Sequence, residues 1–214
     1  MKKNEKPLIP MLDYLLIHRV IRTVLDSIDA HSAHACLFFS IAGAAILREF
    51  YKKEAHPVAG AMCLLVDEHN RNVLTFAHLS DGEIESSSAA FHALVFCEGY
   101  LIDFMAPLFP ETCASSGHPF LAPAQMFQKK IGEMAADYDH LDQSGDFYFQ
   151  PDSELSEQLF RSFFQKPAGA DLVRVCMHWF RRPPKAMPER LSMTNDLGEI
   201  TQMKLKKCLV TGAW

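Results

Sequence analysis

The chain has 214 residues, of which 49% are hydrophobic and 22% are charged, and its formal net charge is −5 at pH 7. At this length a chain buries enough apolar surface to fold without disulfides or a structural metal. The acidic balance argues against a general nucleic-acid binder, which needs clustered lysines and arginines facing phosphates. No shift in composition divides the sequence, so we expect a single domain over 1–214.

The cysteines and the apolar stretches bear on the cellular compartment. The six cysteines have no short spacings, so they predict neither the disulfide framework of a small secreted domain nor a C-x-x-C pair. The uncharged apolar stretch 35–47 is shorter than the roughly 20 residues that cross a membrane. The first residues resemble the charged end of a signal peptide, but Pro10 and Asp13 interrupt the apolar run that follows. We therefore expect a cytoplasmic protein without membrane association.

Two helices are predicted in the first quarter of the chain. Over 11–29, apolar residues recur at steps of three and four, which is typical of an amphipathic helix. Ser32 is a candidate N-cap for a second helix, from Cys36 to Lys53. The first three turns of that second helix carry no charge, so we expect neighbouring elements to cover it on most sides.

Strand patterns follow from residue 58. The runs 58–66 and 73–78 predict one hairpin, and the runs 91–97 and 100–105 predict another, with Glu98-Gly99 as a two-residue turn. Four antiparallel strands behind a buried helix predict an α+β fold. Further along the chain, weaker patterns predict a helix over 124–136, a strand over 147–150, a helix over 153–164, a strand over 172–180 and a surface excursion or lid over 181–196.

Three residues could carry chemistry. Cys36 opens the buried helix, where the first-turn N–H groups and the helix dipole stabilise a thiolate, although a small core residue would also fit there. If Glu98-Gly99 is the turn, His92 and Asp103 lie on one face of the hairpin within reach of each other. They are ionisable residues in apolar strands, so we expect Asp103 to accept the imidazole proton. A structural pair tying the strands together is equally compatible.

Nucleophile, base and orienting acid thus occur in chain order. The segments Cys36-Leu37-Phe38-Phe39-Ser40, His92-Ala93-Leu94-Val95 and Leu101-Ile102-Asp103 resemble those of the transglutaminase-like branch of the papain-like cysteine enzymes, and of a small bacterial family within it. The resemblance implies a papain-like cysteine proteinase fold, in which a core helix carrying the cysteine packs on an antiparallel sheet. It also implies that Cys36 is the nucleophile, His92 the general base and Asp103 the orienting acid.

The sequence departs from that family at the oxyanion hole. Papain-like enzymes usually carry a glutamine upstream of the cysteine, and no glutamine precedes Cys36. The candidate donors are the backbone N–H of Cys36 together with His34 or His31. His31, His34 and Cys36 match no familiar zinc spacing, so we predict no metal and no other cofactor.

These observations predict an enzyme that acts on an amide or other acyl group of a small molecule or peptide through an acyl-enzyme intermediate. Hydrolysis is the default, and an acyltransferase or a deamidase could use the same triad. A catalytically silent interaction module is the alternative from a different class. Serine hydrolases, NTPases, dinucleotide enzymes and zinc proteases have no motif in this sequence.

Overall fold

The computed structural model describes residues 7–80 and 82–214. Within these residues the chain forms five α-helices, which are α1 (Met11–Asp26), α2 (Cys36–Tyr51), α3 (Phe109–Ser115), α4 (Ser153–Phe164) and α5 (Pro167–Trp179). It also forms eleven strands, which are β1 (Ala55–Asp67), β2 (Asn72–Phe76), β3 (His78–Ser80), β4 (Glu83–Glu85), β5 (His92–Cys97), β6 (Tyr100–Asp103), β7 (Gln125–Lys130), β8 (Phe147–Pro151), β9 (Arg190–Thr194), β10 (Ile200–Lys204) and β11 (Gly212–Ala213).

Seven of the described strands form one sheet in the order β11-β7-β6-β5-β1-β2, with β8 also paired to β1. The pairs in this sheet are antiparallel except for β11 with β7. Two separate hairpins, β3-β4 and β9-β10, lie outside it. The predicted α+β class is therefore confirmed. None of the described helices is long and apolar enough to cross a membrane.

The long strand β1 carries two strands in succession along one edge. Gly60 pairs with His92 of β5 and also with β8, so β5 and β8 lie on opposite edges of β1. Met62 pairs with Phe76 of β2 and also with β8, so β2 lies on the same edge as β5. The last residue of β2 and the first residue of β5 meet at this junction, where the rings of Phe76 and His92 stack with centroids 4.2 Å apart.

Helix α2 lies in the core, as its uncharged sequence predicts. It packs on β1 and β5 on one side and on α1 and α5 on the other. Gly43 permits a close approach to the strand residues, because a Cβ at this position would lie 2.3 Å from Cδ2 of Phe104. The predicted N-cap is wrong. Ser32 begins a short 3-10 turn instead, and Ala35 occupies the N-cap position of α2.

The structure confirms the first two helices, both hairpins, the strand near 147–150 and helix 153–164, but two later elements differ. Strand β7 and a 3-10 turn occupy the predicted helix 124–136, because Met126 and Phe127 are buried on a strand that pairs with β6. Helix α5 occupies the predicted strand 172–180. Its buried residues Cys176 and Trp179 are three apart and lie on one helical face.

Candidate active site

The turn between β5 and β6 sets the arrangement of the site. Glu98 and Gly99 both have positive φ, at 48° and 80°, as a tight two-residue hairpin turn requires. The register that follows pairs Cys97 with Tyr100, as the sequence predicts. Because side chains alternate along each strand, this register places His92 and Asp103 on the same face of the sheet.

His92 and Asp103 form a fully buried pair. The distance from His92 Nε2 to Asp103 Oδ2 is 2.7 Å, and the two residues are 0% and 1% exposed. The second carboxylate oxygen, Oδ1, accepts a hydrogen bond of 2.8 Å from the backbone N–H of Met105. Since an ionised carboxylate only accepts hydrogen bonds, Nε2 carries the proton of this contact. The other ring nitrogen, Nδ1, is therefore the one available to a further group.

Cys36 is that further group. It is the first residue of α2, it is 7% exposed, and it lines the same cavity as His92. The Cys36 side chain lies near enough to His92 to favour the protonated imidazole. Within the described part of the chain, Nδ1 of His92 has no hydrogen-bond partner. The structure thus brings Cys36, His92 and Asp103 together in the order that the sequence suggested.

The charge state of His92 follows from its neighbours. Burial alone lowers the pKa of the imidazole, because it disfavours the cation. The Asp103 carboxylate, with a further contribution from Cys36, outweighs burial and raises the pKa of His92 to about 10. The site therefore favours an imidazolium at neutral pH, beside the Cys36 side chain.

A small cavity opens onto Cys36 and His92. Its volume is about 300 Å³, near the lower end of the range for small-molecule sites. Its walls come from the end of β2, the segment before β5, the turn before α2 and the region around the end of α3. Among the described residues on these walls none is Asp, Glu, Lys or Arg; the lining residues are His34, Cys36, Leu74, Thr75, Phe76, Ala77, Ala89, Ala90, Phe91, His92, Met105, Thr112, Ser116 and His118.

The two histidines suggested as oxyanion donors occupy different places. His34 lines the cavity, and its Nε2 lies 2.8 Å from Ser115 Oγ. His31 is exposed and lies outside the cavity lining. The first turn of α2 offers further donors, because the first N–H groups of a helix have no intrahelical partner. The N-cap residue of α2, Ala35, makes no side-chain hydrogen bond to these N–H groups.

Helix α1 supplies two buried contacts that sequence analysis missed. Tyr14 Oη donates a hydrogen bond to the backbone carbonyl of Asp103. His18 Nδ1 lies 2.8 Å from the carbonyl oxygen of Phe104, to which it donates. Tyr14 already belonged to the apolar stripe of the predicted helix, and His18 follows it by one turn. A histidine on the buried side of a helix signals that its ring needs a buried polar partner, although it does not identify that partner.

The described residues contain no group of three or more His, Cys, Asp or Glu side chains that could hold a metal ion. The groups that this site itself offers for chemistry are the thiol of Cys36, the imidazole of His92 and the carboxylate of Asp103. Burial raises the pKa of the other five cysteines, which are Cys63, Cys97, Cys113, Cys176 and Cys208. Cys36 is the cysteine that combines a cavity, a helix start and an imidazole.

Comparison with known proteins identifies the family of this chain. No curated protein matches the sequence. A solved crystal structure, described only as that of a genomics target, is similar to it, with 35% sequence identity and a TM-score of 0.86. That similarity covers 99% of this chain and 100% of the other. A family model described as "Protein of unknown function (DUF2026)" matches residues 10–214. The chain therefore belongs to the DUF2026 family.

Proposed function

We propose that this protein is a cysteine-nucleophile enzyme of the papain-like, transglutaminase-like type, with Cys36 as nucleophile, His92 as acid and base, and Asp103 as the orienting group. The observation that carries the proposal is the buried hydrogen bond between Asp103 and His92, together with the place of His92 and Cys36 on the wall of one cavity. The placement of Cys36 at the start of a core helix that packs on an antiparallel sheet supports the papain-like fold.

The proposed reaction begins with attack of the Cys36 sulfur on an acyl carbon. The new C–S bond forms as the carbonyl π electrons move to oxygen, and the tetrahedral intermediate then expels the leaving group. His92 donates its Nδ1 proton to that leaving amine or alcohol. Water next attacks the thioester while His92 takes its proton, so that the carboxylic acid leaves and the Cys36 thiol is restored. Asp103 keeps the imidazole oriented throughout and stabilises its charged form.

The oxyanion of the intermediate needs hydrogen-bond donors near Cys36. The N–H of Cys36 at the start of α2 is the first, and the helix dipole favours negative charge there. His34 is the second, since it lines the cavity and Ser115 holds its ring at 2.8 Å. His31 no longer belongs in this role, because it is exposed and outside the cavity.

The cavity favours a small acyl group as substrate. A volume of about 300 Å³ is too small to enclose a long peptide, although a peptide could present one side chain or terminus to it. The cavity is open to solvent through exposed residues such as Ser116 and Ala89, which favours hydrolysis by water. An acyltransferase or deamidase would use the same steps with a different acceptor or a different amide.

A catalytically silent interaction module is the second candidate, and one observation favours it. Cys36 is only 7% exposed, so the thiol lies at the bottom of the cavity and substrate must reach down to it. In that case the buried His92–Asp103 pair would serve only to tie β5 to β6.

Active-site titration separates these candidates. The protein is mixed with a panel of p-nitrophenyl esters of short acids, and nitrophenol release is followed with mass spectrometry of the intact chain. We expect a burst of about one equivalent and an acyl adduct that maps to Cys36, because activated esters acylate a thiol faster than water hydrolyses the resulting thioester. Cys36→Ala should abolish both, while Cys113→Ser, at a buried cysteine on α3, should retain them. A burst that survives Cys36→Ala, or an adduct elsewhere, would rule out the proposed nucleophile.

A further inference from the structure

Asp103, the orienting acid, is the last residue of β6, and at this position β6 pairs with β7, through Phe127, but no longer with β5. The carboxylate of Asp103 is held by His92 Nε2 and by the N–H of Met105, two residues further along the same segment. The direction of the carboxylate therefore depends on the backbone of residues 103–105.

Two side chains of helix α1, one turn apart, form hydrogen bonds with that backbone. Tyr14 Oη donates to the carbonyl of Asp103, and the tyrosine ring lies against Phe104 with centroids 5.1 Å apart. His18 Nδ1 donates to the next carbonyl, that of Phe104, at 2.8 Å. Both side chains are 0% exposed. The two successive carbonyls at the end of β6 thus receive their hydrogen bonds from one helix.

His18 and Phe104 also contact α2, the helix that carries the cysteine. The His18 ring stacks on Phe39 with centroids 5.6 Å apart, and Phe39 lies three residues after Cys36 in α2. Phe104 in turn packs against Gly43 of α2. His18 therefore contacts the backbone beside Asp103 on one side and the first turns of α2 on the other, and so links the two elements whose separation sets the site.

We propose that Tyr14 and His18 are positioning residues that hold Asp103 toward His92 and fix the β6 end relative to the start of α2. This inference rests on the proposed function, because it concerns how well Asp103 orients the base of the Cys36 nucleophile. Groups that orient a functional side chain from behind are often worth about tenfold to a hundredfold in activity, as metal sites show. We expect the lower end of that range, about tenfold for each variant, because the remaining donor still holds the backbone when the other is removed.

The test measures the rate at which iodoacetamide alkylates Cys36 between pH 5 and 8, at a temperature well below every melting transition. Tyr14→Phe and His18→Leu each remove one donor, and we expect each to slow labelling at pH 6 by about tenfold. His18→Asn should restore most of the rate, because its side-chain amide can donate from near the position of Nδ1.

Thr23→Val is the matched control on the same helix. The buried hydroxyl of Thr23 donates to the carbonyl of Arg19, away from residues 103–105. We expect this variant to melt at a lower temperature and to keep the wild-type labelling rate. If His18→Leu does not fold, Tyr14→Phe carries the test alone, since it removes only an oxygen atom.

The outcomes distinguish this inference from the proposed function. Rapid, selective labelling of Cys36 in the wild type with unchanged rates in Tyr14→Phe and His18→Leu would overturn the positioning role and leave the proposed function intact. Absence of selective labelling in the wild type would overturn the proposed function, and the positioning role with it. Slow labelling in both variants, normal labelling in Thr23→Val and rescue by His18→Asn would establish the role.

Discussion

His18 and His92 are both fully buried beside the end of β6, yet their pKa values move in opposite directions. His18 faces a backbone carbonyl, so burial dominates and lowers its pKa to about 4. His92 faces the Asp103 carboxylate, which outweighs burial and raises the pKa of the imidazole to about 10. The two rings therefore link the stability of the fold to pH at opposite ends of the scale.

Protonation of His18 should lower the free energy of unfolding at acidic pH. An unfolded histidine takes up a proton near pH 6.5, whereas His18 in the folded chain resists protonation down to about pH 4. Folding stability should therefore fall as the pH drops from 6.5 to 4, by on the order of 3 kcal/mol in total from this group. Urea unfolding of the wild type and His18→Asn across this range measures the difference. Parallel curves for the two proteins would contradict the prediction.

Deprotonation of His92 should lower the stability of the fold at alkaline pH. Its folded pKa lies above the unfolded value of 6.5, so its contribution to stability is fully present below pH 6.5 and is lost as the pH rises through about 10. We expect the melting temperature of the wild type to fall more steeply between pH 7 and 10 than that of Asp103→Asn, which lacks the charge that holds the proton. Lysines and tyrosines titrate in both proteins, so the difference between the two curves isolates the pair. Equal slopes would show that the pair binds no extra proton.

Cys36 should react before the other cysteines under mildly acidic conditions. At pH 6 the five other thiols are protonated, because burial raises the pKa of each of them. Cys36 has the His92 imidazolium beside it and an open cavity in front of it. Limited iodoacetamide treatment of the folded protein followed by peptide mapping gives the relative rates. Faster labelling of the half-buried Cys208 than of Cys36 would oppose the assignment of the nucleophile.

Asp103→Asn separates a catalytic pair from a structural pair. Asparagine has nearly the shape of aspartate, so we expect the fold to persist and the melting temperature to move only modestly. Loss of the charge should disfavour the imidazolium and slow the labelling of Cys36 markedly at pH 6. If the pair only ties two strands together, the variant should instead lose about 1.5 to 3 kcal/mol of stability while Cys36 labels at the wild-type rate.

Gly60 should tolerate no side chain, because its Cα lies close against the backbone of β8, the strand that pairs with β1 there. A Cβ at this position would lie 2.0 Å from the carbonyl oxygen of Gln150, so the backbone of one strand must move. We expect Gly60→Ala to lower the free energy of unfolding by about 1 to 3 kcal/mol, as overpacked cores do. At Gly132, no described atom lies within 4 Å of an added Cβ, so Gly132→Ala is the control that should leave it nearly unchanged. Equal stability of both variants in urea would contradict this account.

Much of the candidate site could be predicted because its geometry is local. The register of the β5-β6 hairpin follows from the two-residue turn at Glu98-Gly99, and that register alone puts His92 and Asp103 on one face. The uncharged first turns of α2 likewise required a buried helix with Cys36 at its start. What remained for the resemblance to supply was the approach of that helix to the hairpin.

The elements that sequence analysis missed depend on distant contacts. Tyr14 and His18 form hydrogen bonds to carbonyls 89 and 86 residues away, so the nearby sequence does not indicate which groups those partners are. Strand β7 contains glutamine and lysine residues that suit a helix, but pairing with β6 overrides that preference. Helix α5 shows the opposite error, since its valines, which have a high strand propensity, lie in a helix that packs against α2.

Strands β5 and β2 pair with the same edge of β1, one after the other, and the chain between them borders the cavity. Because Phe76 and His92 touch, the described residues 77–80 and 82–91 leave the sheet and return to it at a single point, and they include strands β3 and β4. Ala77, Ala89, Ala90 and Phe91, which border the cavity, lie in this excursion. Lengthening or replacing it would reshape the entrance while the strands that hold Asp103 and His92 keep their pairing. Under the proposed function, part of the cavity wall and the three chemical groups thus lie in separate stretches of this chain, so changes in the first need not disturb the second.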